Sequence, residues 1–172
     1  LGKKDLALSA HRSHAHYLAK GGNLKAMISE LYGKETGCAK GKSGSMHLVD
    51  IKAGMMGAVP IVGSAIPIAA GFAWGNKLKK IKKIAVVFFG DGATEEGVFH
   101  ESLDFASLHK LPILFVCENN YFSVYSHISK RQSKLRNICA IAKAVGIKSL
   151  KLNGNNVEKV FTKSSKIIRN IR

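Results

Sequence analysis

The chain has 172 residues, 46% of them hydrophobic, which is enough to bury one core and fits the usual size of a single domain. Its 27 Lys and Arg against 11 Asp and Glu give a formal net charge of +16, which first suggests nucleic acid as a partner. Arg is scarce, however, and no zinc-finger or RNA-recognition signature is present. We therefore expect the lysines, densest between Lys77 and Lys83, to form a solvated face.

The three cysteines, Cys38, Cys117 and Cys139, are odd in number and widely spaced, which argues against a disulfide framework and a tetrahedral metal site. A reducing cytoplasm fits them best. The first residues show no signal-peptide layout, and no apolar stretch is long enough for a bilayer, so no membrane partner is expected. The length predicts one domain, residues 1–172, and the missing initiator Met and the ending inside a helical pattern predict that it is cut at both ends.

In the first half of the chain, apolar residues at helical spacing predict a helix from Leu24 to Leu31. The Gly- and Ser-rich loop at 37–45 follows, and its backbone amides could approach a ligand. The small apolar residues from Ser64 to Trp74, with Pro67 in the first turn, predict a buried helix.

In the second half, Lys83–Phe89 and Leu111–Cys117 are rich in β-branched and aromatic residues and predict strands buried on both faces. A helix capped by Thr94 and ending near His109 should join them in a right-handed parallel unit. The remaining sequence predicts a helix at 138–145, a strand at 147–152 and a helix at 157–171. This alternation predicts an α/β fold with an open, mostly parallel sheet and helices on both faces. The polar, basic stretch 121–135 is the best candidate for a mobile surface segment.

Polar groups follow both predicted strands: Gly90-Asp91-Gly92 after the first and Glu118-Asn119-Asn120 after the second. Ligands of open parallel sheets lie beyond the carboxyl ends of the strands, where these side chains should converge. Asp91 offers a carboxylate and Asn120 a neutral oxygen, both hard ligands that suit Mg²⁺, while backbone amides after Asp91 can face a phosphate. Either turn alone would be ordinary, but their paired placement favours a metal–diphosphate site.

The spacing from Gly90-Asp91-Gly92 to Asn119-Asn120 resembles the thiamine diphosphate motif. The surrounding sequence resembles the alpha subunits of 2-oxo acid dehydrogenases, with pyruvate and acetoin dehydrogenases the most similar. Three further segments carry this resemblance: His-Arg-Ser-His-Ala-His at 11–16, the loop 37–47, and Pro-Ile-Val-Gly at 60–63.

The resemblance implies the thiamine diphosphate-binding fold, with thiamine diphosphate and Mg²⁺ as cofactors. Asp91, the Asn120 side chain and the Phe122 carbonyl would hold the metal. Phe122 occupies a position where the family commonly has Tyr. Because the implied ligand is the main-chain carbonyl, this difference in side chain should not affect the metal. The residues that would contact the rest of the cofactor are His11, Arg12, Pro60, Val62, Gly90, Asp91, Gly92, Ala93 and Asn120. His14 is the predicted catalytic acid–base group, with His16 and His47 as weaker candidates.

By the same resemblance, the protein would be the alpha subunit of an enzyme that oxidatively decarboxylates a pyruvate-like 2-oxo acid, or acts on acetoin, and passes the acyl group to a lipoyl-bearing acyltransferase. A beta subunit, in a heterotetramer, would supply the glutamate that activates the cofactor. Because this glutamate lies in the partner, the chain alone should be inactive. The family's His-Gly-His-Ser loop is expected after Arg172, outside this sequence. Two alternatives remain: a transketolase-like or carboligating enzyme, and a basic interaction module without catalysis.

Overall fold

The computed structural model describes all residues from Leu1 to Arg172 and is built on a four-stranded sheet. The strands are β1 (Leu6–Ala10), β2 (Met55–Val59), β3 (Ala85–Gly90) and β4 (Ile113–Glu118). They lie in the order β2-β1-β3-β4, and every neighbouring pair is parallel. All four carboxyl ends therefore meet at one edge of the sheet, the edge that binds ligands in open α/β folds.

Six helices connect and cover the strands. They are α1 (His14–Ala19), α2 (Leu24–Leu31), α3 (Ala65–Leu78), α4 (Gly97–Leu108), α5 (Ile138–Ala144) and α6 (Val157–Ile171). Short 3₁₀ turns occupy Gly44–Met46, Asp91–Glu95 and Ile128–Lys130, and a small antiparallel hairpin pairs β5 (Phe122–Ser123) with β6 (Ser126–His127). None of the helices combines the length and the apolarity needed to cross a bilayer.

Helices lie on both faces of the sheet, as the alternation of neighbouring side chains shows. Leu8 of β1 belongs to the larger core with Ile66 of α3 and Phe99 of α4. The adjacent Ala7 points to the opposite face and belongs to a smaller core with Tyr17 of α1 and Met27 of α2. This confirms the predicted α/β class with an open parallel sheet.

Most of the predicted elements are confirmed. The helix from Leu24 to Leu31 has the predicted bounds, and the Asn23 side chain caps it by accepting the Ala26 N–H at 2.9 Å. The helix predicted from Ser64 to Trp74 begins at Ala65 and continues to Leu78, but only one of its faces is buried, since Ile68 and Gly71 are exposed. The two predicted strands form β3 and β4, each beginning two residues later than expected. The helices predicted near 138–145 and 157–171 are present as α5 and α6.

Two local predictions are wrong. The segment 147–152 forms no strand, because its polar groups turn back to α5: the Ile147 N–H donates to the Ala142 carbonyl and the Ser149 hydroxyl donates to the Cys139 carbonyl. Thr94 does not cap α4, because its hydroxyl donates to the Asp91 carbonyl at 2.7 Å inside a 3₁₀ turn. The helix begins only at Gly97.

Candidate functional site

Asp91 is the first residue beyond β3, and its side chain is fully buried. The 3₁₀ turn Asp91–Glu95 closes on the Asp91 carbonyl and holds the residue at the strand tip. One carboxylate oxygen, Oδ2, lies 2.5 Å from Nη2 of Arg131, while the other, Oδ1, is buried and accepts no hydrogen bond. A buried carboxylate oxygen without a donor is rare because its desolvation is not compensated.

Asn120 lies at the neighbouring strand tip. Gly90 pairs with Glu118 across β3 and β4, so the residues that follow them, Asp91 and the Asn119-Asn120 pair, leave the sheet side by side. The Asn120 Oδ1 atom accepts the Phe122 N–H at 3.0 Å, and Asn119 makes the equivalent bond to Tyr121 at 2.9 Å. These turns orient both amide side chains, and each Oδ1 keeps a second lone pair for a cation.

The segment after Asn120 packs directly on the Asp91 turn. A Cβ atom at Gly92 would stand 2.6 Å from the Ser123 hydroxyl oxygen, closer than Cβ atoms come to their neighbours, so Ser123 would have to shift for any other residue. The predicted mobile segment thus contains the hairpin that contacts Gly92. Phe122, whose carbonyl is the third predicted metal ligand, begins this hairpin.

The other predicted residues follow the two remaining strands. His11 and Arg12 come after β1 and are exposed, and the pairing of Ser9 with Phe88 brings the end of β1 level with the end of β3. Pro60 and Val62 come after β2. Every residue predicted to contact the cofactor therefore lies at the carboxyl ends of the four strands, on one edge of the sheet. Their individual roles stay predictions.

Among the histidines, His14 lies at the start of α1 with Nε2 3.0 Å from the Ser45 hydroxyl. His16, two residues further along, stacks on the Phe88 ring at 4.0 Å between centroids. Its ring nitrogens contact the Ser9 hydroxyl at 2.8 Å and Glu118 Oε1 at 3.2 Å. His16 is thus tied to the sheet, whereas His14 has one side-chain contact and freer access, which suits its predicted acid–base role better.

Arg131 belongs to the candidate site through its ion pair with Asp91, and the sequence did not predict it. Besides Asp91 it pairs with Glu95, and its Nε donates to the Ser126 carbonyl at 3.1 Å. Gln132 adds a bond to Glu95 at 2.8 Å. The only signal in the sequence was a basic loop facing an acidic turn, which does not single out Arg131.

The Gly-rich loop at 37–45 does not offer its amides to a ligand. The N–H groups of Ala39, Gly41, Ser43 and Gly44 all donate to the carboxylate of Glu30, which is 1% exposed. Burial alone would raise the pKa of Glu30, but these hydrogen bonds to the ionised form outweigh it and lower the pKa to about 2. The loop is therefore a cage around an internal anion.

Cys117, near the end of β4, is a protonated thiol at neutral pH in this environment. Burial raises the pKa of its thiol to about 12, and the negative charge of Asp91 adds to the effect. All three cysteines are unpaired.

The structure contains no group of three or more His, Cys, Asp or Glu side chains that could hold a metal by themselves. A cation at Asp91 would therefore need amide, carbonyl, phosphate or water oxygens as further ligands.

Comparison with known proteins decides the family. The model of the dehydrogenase E1 component family matches residues 1–170. The chain belongs to the dehydrogenase E1 component family. Its curated relatives are alpha subunits, and this E1-family chain spans about half of their length.

Two of these relatives show the range of the similarity. The alpha subunit of acetoin:2,6-dichlorophenolindophenol oxidoreductase from Bacillus subtilis is 39% identical over 168 residues, covering 98% of this chain and 50% of the relative. The pyruvate dehydrogenase E1 component subunit alpha from Rickettsia typhi is 35% identical over 170 residues, covering 99% and 52%.

Among solved structures, transketolase from Leishmania mexicana superposes with a TM-score of 0.73, covering 97% of this chain and 27% of the transketolase. At 18% identity, this likeness shows a shared fold alone.

Proposed function

We propose that this chain is the Mg²⁺- and diphosphate-binding alpha subunit of a thiamine diphosphate-dependent dehydrogenase acting on a pyruvate-like 2-oxo acid or on acetoin. The observation that carries the proposal is the buried Oδ1 of Asp91, which lacks a hydrogen-bond donor and lies at a strand tip beside the Asn119-Asn120 pair. Family membership and alpha-subunit relatives with both activities in their names support it.

The residues present fit the cofactor. A hard divalent cation would satisfy Asp91 Oδ1, and Asn120 together with the Phe122 carbonyl would add the oxygen ligands that Mg²⁺ prefers. The Ser13 hydroxyl, next to Arg12, is another buried polar atom without a partner at the same edge. The strand edge thus carries uncompensated polar groups where a diphosphate and its metal would bind.

The chain's own groups would position the cofactor, neutralise its phosphate charge and exchange protons. Arg12, exposed beyond β1, can fork onto two phosphate oxygens. The remaining predicted contacts would come from His11, Pro60, Val62, Gly90, Gly92 and Ala93. When bound, thiamine diphosphate supplies the carbanion and the electron sink for decarboxylation. His14, within reach of solvent, would exchange protons with the reacting substrate.

Partner subunits are part of the proposal. On α3, Ile68, Gly71, Phe72 and Gly75 line a surface groove of about 440 Å³ that contains none of the predicted cofactor residues. Gly71 and Gly75 lie one turn apart, and a Cβ at either would meet nothing within 4 Å. This open face would allow close approach of a helix of the beta subunit in a heterotetramer. The acyl group would pass to a lipoyl-bearing acyltransferase.

We further infer that residues 1–172 are one domain. We also infer that the protein's compartment is the cytoplasm, which the three unpaired cysteines support.

The test is calorimetric titration of the chain, assembled with its proposed beta subunit, with thiamine diphosphate, first with Mg²⁺ and then with a chelator. Binding that requires the metal supports the proposal, and absence of binding in both conditions rejects it. Product analysis of the assembled enzyme then separates the alternatives, because a dehydrogenase needs a lipoyl acceptor whereas a transketolase-like enzyme transfers the carbanion to an aldehyde.

A further inference from the structure

Asp91 is already neutralised by a cation of the chain itself. Its Oδ2 lies 2.5 Å from Arg131 Nη2, and the Arg131 side chain is only 14% exposed. A buried carboxylate needs such a partner because its charge is otherwise costly to desolvate. Arg131 is thus the positive charge that makes the buried Asp91 carboxylate tolerable.

Arg131 is also the attachment point of the segment that follows Asn120. Its Nε donates to the Ser126 carbonyl in β6, and its own N–H donates to the Ile128 carbonyl in the 3₁₀ turn. Its Nη1 pairs with Glu95. One guanidinium therefore ties the hairpin to the Asp91 turn, and the hairpin in turn presses Ser123 against Gly92.

A divalent cation bound to Asp91 would compete with this arrangement. The cation and the guanidinium would both lie against the same carboxylate, and like charges at that separation repel strongly in a poorly solvated site. The stronger ligand for a hard dication is the carboxylate, so the guanidinium is the group that gives way.

We propose that Arg131 is a positioning residue that holds the Asp91 carboxylate until the metal binds, and that metal binding breaks the Asp91–Arg131 pair. This inference rests on the proposed function, since it requires a metal at Asp91. Its consequence is that Arg131 lowers the affinity for the metal, because binding must first break the ion pair.

The test is a titration of the chain with Mn²⁺ in the presence of thiamine diphosphate, following free Mn²⁺ by electron paramagnetic resonance. Arg131→Gln should bind Mn²⁺ more tightly than the wild type, by roughly tenfold or more, because a charge-assisted hydrogen bond no longer opposes binding. Arg131→Lys should stay near the wild type. Lys130→Gln, at the exposed neighbouring cation, is the matched control and should leave the affinity unchanged.

A second readout is the thermal shift. Mn²⁺ with thiamine diphosphate should raise the unfolding temperature of Arg131→Gln by more than that of the wild type, because the free variant carries an unpaired Asp91. If Arg131→Gln binds Mn²⁺ equally or more weakly while the wild type binds it, the inference is overturned and the proposed function stands. If the wild type binds no Mn²⁺, both are overturned.

Discussion

Gly90 of β3 pairs with Glu118 of β4 in parallel register, so the acidic turn and the amide turn leave the sheet at the same level. This one register places Asp91 and the Asn119-Asn120 pair at the tips of adjacent strands, whose backbones in a sheet lie about 4.8 Å apart. Binding of one metal ion by both turns would depend on this pairing of β3 with β4.

The Glu30 cage predicts a defined loss of stability in acid. The folded pKa of Glu30 is about 2, below its ordinary value of 4.5, so the folded state favours the ionised form. The stabilisation is complete above about pH 4.5 and is lost as the pH falls towards 2. Denaturant unfolding of the wild type and of Glu30→Gln across this range measures it.

At neutral pH, Glu30→Gln should reduce the free energy of unfolding by about 2–4 kcal/mol, because an amide cannot accept all of the N–H groups that the carboxylate binds. Glu35→Gln, at an exposed position nearby, is the control and should behave like the wild type. Parallel pH profiles for the wild type and Glu30→Gln would show that the cage contributes nothing.

The contact between the hairpin and the Asp91 turn predicts a steric penalty at Gly92. In Gly92→Ala the new Cβ would stand 2.6 Å from Ser123 Oγ and 3.0 Å from Ser123 Cβ, so the hairpin must shift. We expect a loss of about 1–3 kcal/mol in unfolding free energy, measured in denaturant.

Two variants sharpen this measurement. Ser123→Gly should restore most of the loss when combined with Gly92→Ala, because it removes both clashing atoms. Gly90→Ala is the matched control, since a Cβ there meets nothing within 4 Å. Equal destabilisation by Gly90→Ala and Gly92→Ala would mean that the hairpin does not pack as described.

The open face of α3 predicts that substituting its two glycines has different effects on the stability of the chain and on its association with a partner. Gly75→Ala should stabilise the isolated chain by about 0.5–1 kcal/mol, because alanine favours the helix and the space is free. Gly71→Leu should leave the chain folded but weaken its association with the proposed beta subunit, followed by analytical ultracentrifugation. Ala144→Leu, exposed on α5, is the control. Unimpaired assembly of Gly71→Leu would place the interface elsewhere.

Much of the fold could be predicted from local patterns. The apolar runs that became β3 and β4 could be recognised as strands, with glycine or proline near their ends. The predicted burial on both faces holds for β3, whereas β4 lies at the edge of the sheet and is only half-buried from Leu114 to Cys117. The strands β1 and β2 were not predicted, because their five-residue sequences contain Ala, Ser, Met and Gly, which have little preference for strands. Only pairing with β3 and with each other selects the extended form.

The candidate site divides in the same way. Asp91 and Asn120 could be predicted because each directly follows a recognisable strand. The Arg131 pair and the Glu30 cage could not, because they join residues 40 and 9–14 positions apart through single side chains that belong to no periodic pattern. Such contacts depend on the tertiary structure, which composition and spacing do not encode locally.

The most direct measurement is calorimetric binding of thiamine diphosphate to the wild type and to Asp91→Asn, with Mg²⁺ and with chelator. Asp91→Asn keeps the size of the side chain but removes the only protein carboxylate proposed for the metal, so circular dichroism should confirm a folded variant. We predict binding to the wild type only when Mg²⁺ is present, and an affinity for Asp91→Asn reduced roughly 100-fold or more. Equal affinity for both proteins, or binding by the wild type in chelator, would contradict a metal–diphosphate site at Asp91.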